Sequence, residues 1–131
     1  MYFVIPGESV DDPLILNKMQ VVGLDVIRAP SSSNFPYWYE FVIKGDSAVY
    51  KLLESHLKDG WYAAAFTKEN IDIIFKNKHF SVIKDNRLTT QAAAATEYGS
   101  ERGVQRKYLN WRERQSVYLK KLNQAIKAGV V

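Results

Sequence analysis

Few side chains in this sequence stand at spacings that carry chemistry. Two of its 131 residues are histidine and none is cysteine. The missing cysteine removes disulfides, thiolate metal sites, iron–sulfur clusters and thiol nucleophiles together. His56 falls on the apolar side of a helical pattern and His79 beside a polar turn. Neither has an HxH or HExxH partner, so no histidine metal site is expected. Asp11 and Asp12 are adjacent and precede Pro13, which is the arrangement of a helix cap rather than an acid–base pair. Glu69 and Asp72 flank a turn, where acidic residues are common because they stay solvated. The sequence contains no GxGxxG, GxxxxGK[ST] or GxSxG. No catalytic residue, metal ligand or cofactor site is expected, and the chain reads as a binding or interaction module rather than an enzyme.

Three stretches remain as candidate surfaces. Lys107, Arg114 and Lys121 recur at seven-residue spacing beside Trp111 and Tyr118. Cations interleaved with aromatics can neutralise phosphates and stack on bases, so these five residues form a candidate nucleic-acid surface. The competing reading puts Trp111 and Tyr118 in the core and the cations on a solvated face. Charge placement bears on both: residues 1–90 carry a net charge of −1 and residues 91–131 a net +5. The second stretch is Tyr37, Trp38 and Tyr39, next to the proline- and serine-rich loop APSSSNFP (29–36). It is a candidate small-molecule site at a sheet edge. The third is the apolar arc of the C-terminal helix, from Val104 through Tyr118 to Ile126, which could cover a second copy of the chain or another protein.

The elements that position these residues follow from periodicity. Tyr2–Ile5 and Val21–Ile27 are β-rich, with Gly23 marking a bulge. A short helix is expected over Leu14–Gln20. Tyr37–Ile43 alternates, with Tyr37, Tyr39, Phe41 and Ile43 on one face and Trp38, Glu40 and Val42 on the other. Val49, Leu52, Leu53, His56 and Leu57 share one side of a helix over 46–57, closed by Asp59-Gly60. Three strands joined by short polar turns are expected at about 61–83, and loops that short make neighbours antiparallel. The alanines of QAAAATEY favour a helix ending near Gly103. A basic amphipathic helix is then expected over 104–128.

The stretches YWYEFVI (37–43), GWYAAAF (60–66), IIFKNKHF (73–80) and ATEYGSERGV (95–104) resemble the matching segments of a group of short uncharacterised prokaryotic proteins. The resemblance covers roughly residues 37–111. It implies a shared fold and carries no activity with it. The alanines of GWYAAAF stand where the group has a polar residue, and the basic helix extends beyond the shared unit.

The expected architecture is a single α+β domain over 1–131. It has a mainly antiparallel sheet with a three-strand meander, one packed helix and two C-terminal helices. A ferredoxin-like order fits the strand–helix–strand passage from Tyr37 to Phe66. The expected function is a non-enzymatic module that self-associates, with nucleic-acid binding and small-molecule binding as alternatives. The N-terminus has no basic leader region, and no apolar run approaches the ~18 residues of a membrane span. A cytoplasmic protein without a membrane partner is therefore expected.

Overall fold

The first strand, β1 (Tyr2–Pro6), lies inside the sheet rather than at its edge. The computed structural model describes residues 1–127 apart from Ser32 and Phe35, with side chains described through Gln124. After β1 come two 3₁₀ turns, Gly7–Ser9 and Pro13–Lys18. Asp12 caps the second by accepting the Leu14 N–H at 3.0 Å. An α-helix was expected from Leu14. The segment is only six residues long before β2 takes over at Gln20, too short to repay α-helix nucleation.

The remaining elements are β2 (Gln20–Arg28), β3 (Tyr37–Lys44), α1 (Ala48–His56), β4 (Ala63–Phe66), β5 (Ile71–Phe75), β6 (Lys78–Lys84), β7 (Arg87–Leu88), α2 (Ala92–Glu101) and α3 (Trp111–Lys127). The fold is α+β. Among the described residues the strands form one seven-stranded sheet in the order β2-β3-β1-β4-β5-β6-β7, with every pairing antiparallel. β3 and β4 flank β1 and are joined through α1. The register of β2 on β3 shifts between Val21 and Gly23, where the glycine marked a bulge. β7 went unpredicted. It pairs with β6 across Asp85-Asn86, whose positive φ values of 52° and 62° make the left-handed pair that tight hairpins use.

Period-two alternation gives the sheet two covered faces. Phe3, Ile5, Ile43, Ala63, Ala65 and Ile74 pack with Leu53 of α1, with Leu57 just after it and with Ile15 of the second 3₁₀ turn. Val4, Val42, Ala64, Phe66, Ile73 and Val82 pack beneath α2 and α3. α2 approaches closely because Gly99 has no side chain. A Cβ there would stand 2.9 Å from Leu109 Cδ2 and 3.2 Å from the Phe75 ring.

The C-terminal helix starts later than its apolar arc suggested. Gly103, at φ 93°, ends the α2 turn, and Arg106–Tyr108 forms a separate 3₁₀ turn. Asn110 then caps α3 by accepting the Glu113 N–H at 3.2 Å. Val104 and Tyr108 therefore reach the core from a connecting segment, while Trp111 and Tyr118 reach it from α3. The side chains of Ile126 and Lys127 lie outside the described residues.

Candidate functional site

On the α3 side of the sheet, the outer halves of β3 and β1 extend past the helices, and a cavity of about 340 Å³ opens there. Its floor is Val4 and Pro6 of β1, Trp38 and Glu40 of β3, and Ile27 of β2. Trp61 and Tyr62, just before β4, and Tyr108 wall one side. Arg114 and Tyr118 of α3 close another, and Pro30 and Ser33 form the rim.

Each wall is held by a defined contact. Trp38 Nε1–H donates to Ser33 Oγ at 3.3 Å, tying the 29–36 loop to β3. The Ala29 N–H donates to the Pro36 carbonyl at 3.1 Å and closes that loop at its base. Trp38 meets Trp61 and Tyr108 edge-to-face, with ring centroids 5.9 Å and 6.0 Å away. The Tyr62 hydroxyl donates to the Tyr108 carbonyl at 2.6 Å, fixing the connecting segment against β4. Tyr118 stacks on Phe66 at 5.3 Å and carries the Arg114 guanidinium 5.3 Å from its ring centroid.

The electrostatics beneath the cavity are built from α3 and the two outer strands. Lys121 is 7% exposed and ion-pairs with both Asp25 of β2 and Glu40 of β3, the latter at 3.1 Å. Burial alone would lower the Lys121 pKa. The hydrogen bond to Asp25 and the Glu40 charge outweigh it, so the pKa is raised and the ammonium is retained. Arg114 follows the same balance: burial opposes its charge, but the phenolic oxygens of Tyr118 and Tyr62 and the Glu40 carboxylate hold it cationic. Burial pushes the Tyr62 and Tyr118 hydroxyls up, keeping both protonated. Among the described residues no carboxylate lies within ion-pair distance of Arg114, and its buried Nε has no acceptor.

Of the residues expected to bind a small molecule, the structure places Trp38 in the cavity and turns Tyr37 and Tyr39 away. They lie on the opposite face of β3 and are exposed, because alternation admits only one parity to the pocket. The expected nucleic-acid stripe is not a surface. Trp111, Tyr118 and Lys121 are buried, Arg114 is half-buried in the cavity wall, and only Lys107 is exposed, over the Tyr108 ring. The seven-residue spacing did align Arg114 and Lys121 on one side of α3, but that side faces the sheet. Glu40, Trp61, Tyr62 and Tyr108 were missed as site residues. A glutamate in an otherwise apolar strand, on the same face as Trp38, was the available signal.

Both histidines and Asp72 are engaged in local pairs. His56 Nδ1 lies 2.8 Å from Asp11, and His79 Nδ1 lies 2.6 Å from Glu54. Asp72 accepts the Tyr50 hydroxyl at 2.7 Å. Burial, with that bond and the Asp72 charge added, raises the Tyr50 pKa. Among the described residues no group of three or more His, Asp or Glu side chains is placed to hold a metal ion, and no helix is long and apolar enough to cross a membrane. No protein-family model, curated protein or solved structure matches the chain.

Proposed function

We propose that this protein is a non-enzymatic binding module whose aromatic cavity takes a small molecule. The cavity itself carries this reading. Its volume of about 340 Å³ falls in the ~300–1,000 Å³ range of small-molecule sites, and its lining combines five aromatic side chains and several aliphatic ones with a few polar groups. Neither a nucleophile–base pair nor an acid–base pair stands among those groups, which favours binding over turnover. A thermal-shift and tryptophan-fluorescence screen of small aromatic compounds tests it. Binders should quench tryptophan emission, and Trp38→Ala should weaken them about tenfold through loss of an aromatic wall. A screen without binders, or binders indifferent to Trp38→Ala, defeats the reading. The β3–α1–β4 passage around β1 supports a ferredoxin-like half of the sheet, and β4–β5–β6 supports the meander.

A second reading, self-association, rests on β2. Among the described residues this nine-residue strand is an edge, paired only with β3. Leu24 and Val26 are 52% and 57% exposed and stand opposite Phe41 and Tyr39, so they extend an apolar patch to an unpaired edge. Trp111 and Tyr118 of the α3 arc, which first suggested a dimer contact, are buried inside the fold. Light scattering should give a dimer mass at about 100 μM, a range set by weak association of a small patch, and Val26→Lys should return a monomer. A wild-type monomer at that concentration removes this reading.

A further inference from the structure

We infer that the ligand of this cavity is an aromatic carboxylate, its ring among Trp38, Trp61 and Tyr108 and its carboxylate forked on Arg114. The inference rests on the cavity being a small-molecule site and adds the charge and shape of what fills it.

Charge comes first. Four ionic side chains gather at the cavity and beneath it: Arg114, Lys121, Glu40 and Asp25. Lys121 bridges both carboxylates, so the protein's own anions are engaged with one cation and Arg114 has no anion in contact among the described residues. A guanidinium withdrawn from water costs free energy unless its donors find acceptors. Tyr118 offers the positive charge a ring face and a hydroxyl hydrogen bond, and neither is an anion. Arg114 lines the cavity, and the two terminal nitrogens of its guanidinium form a planar fork that matches the two oxygens of a carboxylate. Glu40 limits the charge that fits. The four side chains already sum to zero charge, so a single carboxylate in contact with Arg114 is the smallest anionic load, whereas a phosphate dianion would bring a second negative charge toward the Glu40 carboxylate of the same cavity.

Shape follows from the aromatics. Trp38 stands at 72° to Trp61 and 64° to Tyr108, so the wall presents both ring faces and ring edges. A flat ring is the body that can meet both with favourable quadrupole contacts.

The test compares acids with their neutral amides on the full-length protein by calorimetry: benzoate with benzamide, naphthoate with naphthamide, and indoleacetate with indoleacetamide. In the wild type, at least one acid should bind about tenfold more tightly than its amide, the increment of a charge-assisted hydrogen-bond pair. Arg114→Gln should abolish that preference, bringing each acid and its amide to equal affinity, and Arg114→Lys should restore only part of it. Glu40→Gln should raise the ratio of acid to amide affinity above that of the wild type. Amides that bind as well as acids overturn the charge assignment and leave the pocket standing, as does an acid preference that survives Arg114→Gln. Failure of every acid and amide overturns the pocket along with it. If Arg114→Gln does not fold, the wild-type acid–amide comparison and Glu40→Gln still decide the matter.

Discussion

Trp111→Ala is expected to destabilise the protein by about 4 kcal/mol, within the range for removing a large aromatic from a packed core. Trp111 is 4% exposed and sits where α3, α2 and the sheet meet. Its ring meets Tyr62 edge-to-face at 5.8 Å, and its Nε1–H donates to the Ala92 carbonyl at 3.0 Å in the first turn of α2. The cavity left behind cannot collapse easily, because Gly99 already brings α2 to within contact of Leu109 and Phe75. Trp111→Phe keeps most of the packing and loses the hydrogen bond. It should cost about 1–2 kcal/mol, the less because Thr96 also donates to the Ala92 carbonyl. Lys107→Gln, at an exposed position, should stay within about 0.5 kcal/mol. Urea denaturation with an unchanged slope measures all three. A Trp111→Ala protein within about 1 kcal/mol of wild type would return this residue to the surface role its spacing with Lys107 first suggested.

That contrast shows where sequence reasoning succeeds and where it stops. Strand faces were legible because alternation is local: Trp38, Glu40 and Val42 do share one side of β3, as do Tyr37, Tyr39, Phe41 and Ile43. Gly103 and the Gly23 bulge were legible for the same reason, a backbone preference written at one position. Which face meets a partner is not local. Tyr37 and Tyr39 continue the buried face of Phe41 and Ile43, yet α1 ends before covering them, and the length of a covering helix is set by elements elsewhere in the chain. The start of α3 was misread because Val104 and Tyr108 are in phase with Trp111, although a 3₁₀ turn and the Asn110 cap separate them. The pocket was half legible. The 29–36 loop and Trp38 marked its rim, but Trp61, Tyr108 and Arg114 reach it from three other segments that only the packed fold brings together.

Lys121 illustrates the same limit and allows a second large effect to be derived. In sequence it is one more cation on a basic helix. In the fold it ties α3 to the two outer strands by pairing with Asp25 and Glu40. Lys121→Met keeps the apolar stem and removes the charge, leaving Glu40, 13% exposed, with no cation in ion-pair contact among the described residues. Removing one partner of a buried ion pair costs about 3–5 kcal/mol. Asp25 is more exposed than Glu40, so about 3 kcal/mol is expected at pH 7. Adding Glu40→Gln should recover part of the loss, because the stranded charge is then gone. The pH dependence has a definite sign. The Lys121 pKa is raised by folding, so its contribution is fully present below the unfolded value of about 10.4 and is lost as pH rises through the folded value. Tyr50, Tyr62 and Tyr118 also have raised pKa values, and they weaken wild type and variant alike above about pH 10. Their shared effect cancels in the difference between the two proteins. The gap between wild type and Lys121→Met should therefore be constant across neutral pH and narrow on the alkaline side. A gap below about 1 kcal/mol at pH 7, or one that widens with alkalinity, would mean that packing of the lysine stem, not its charge, holds β2 and β3 against α3.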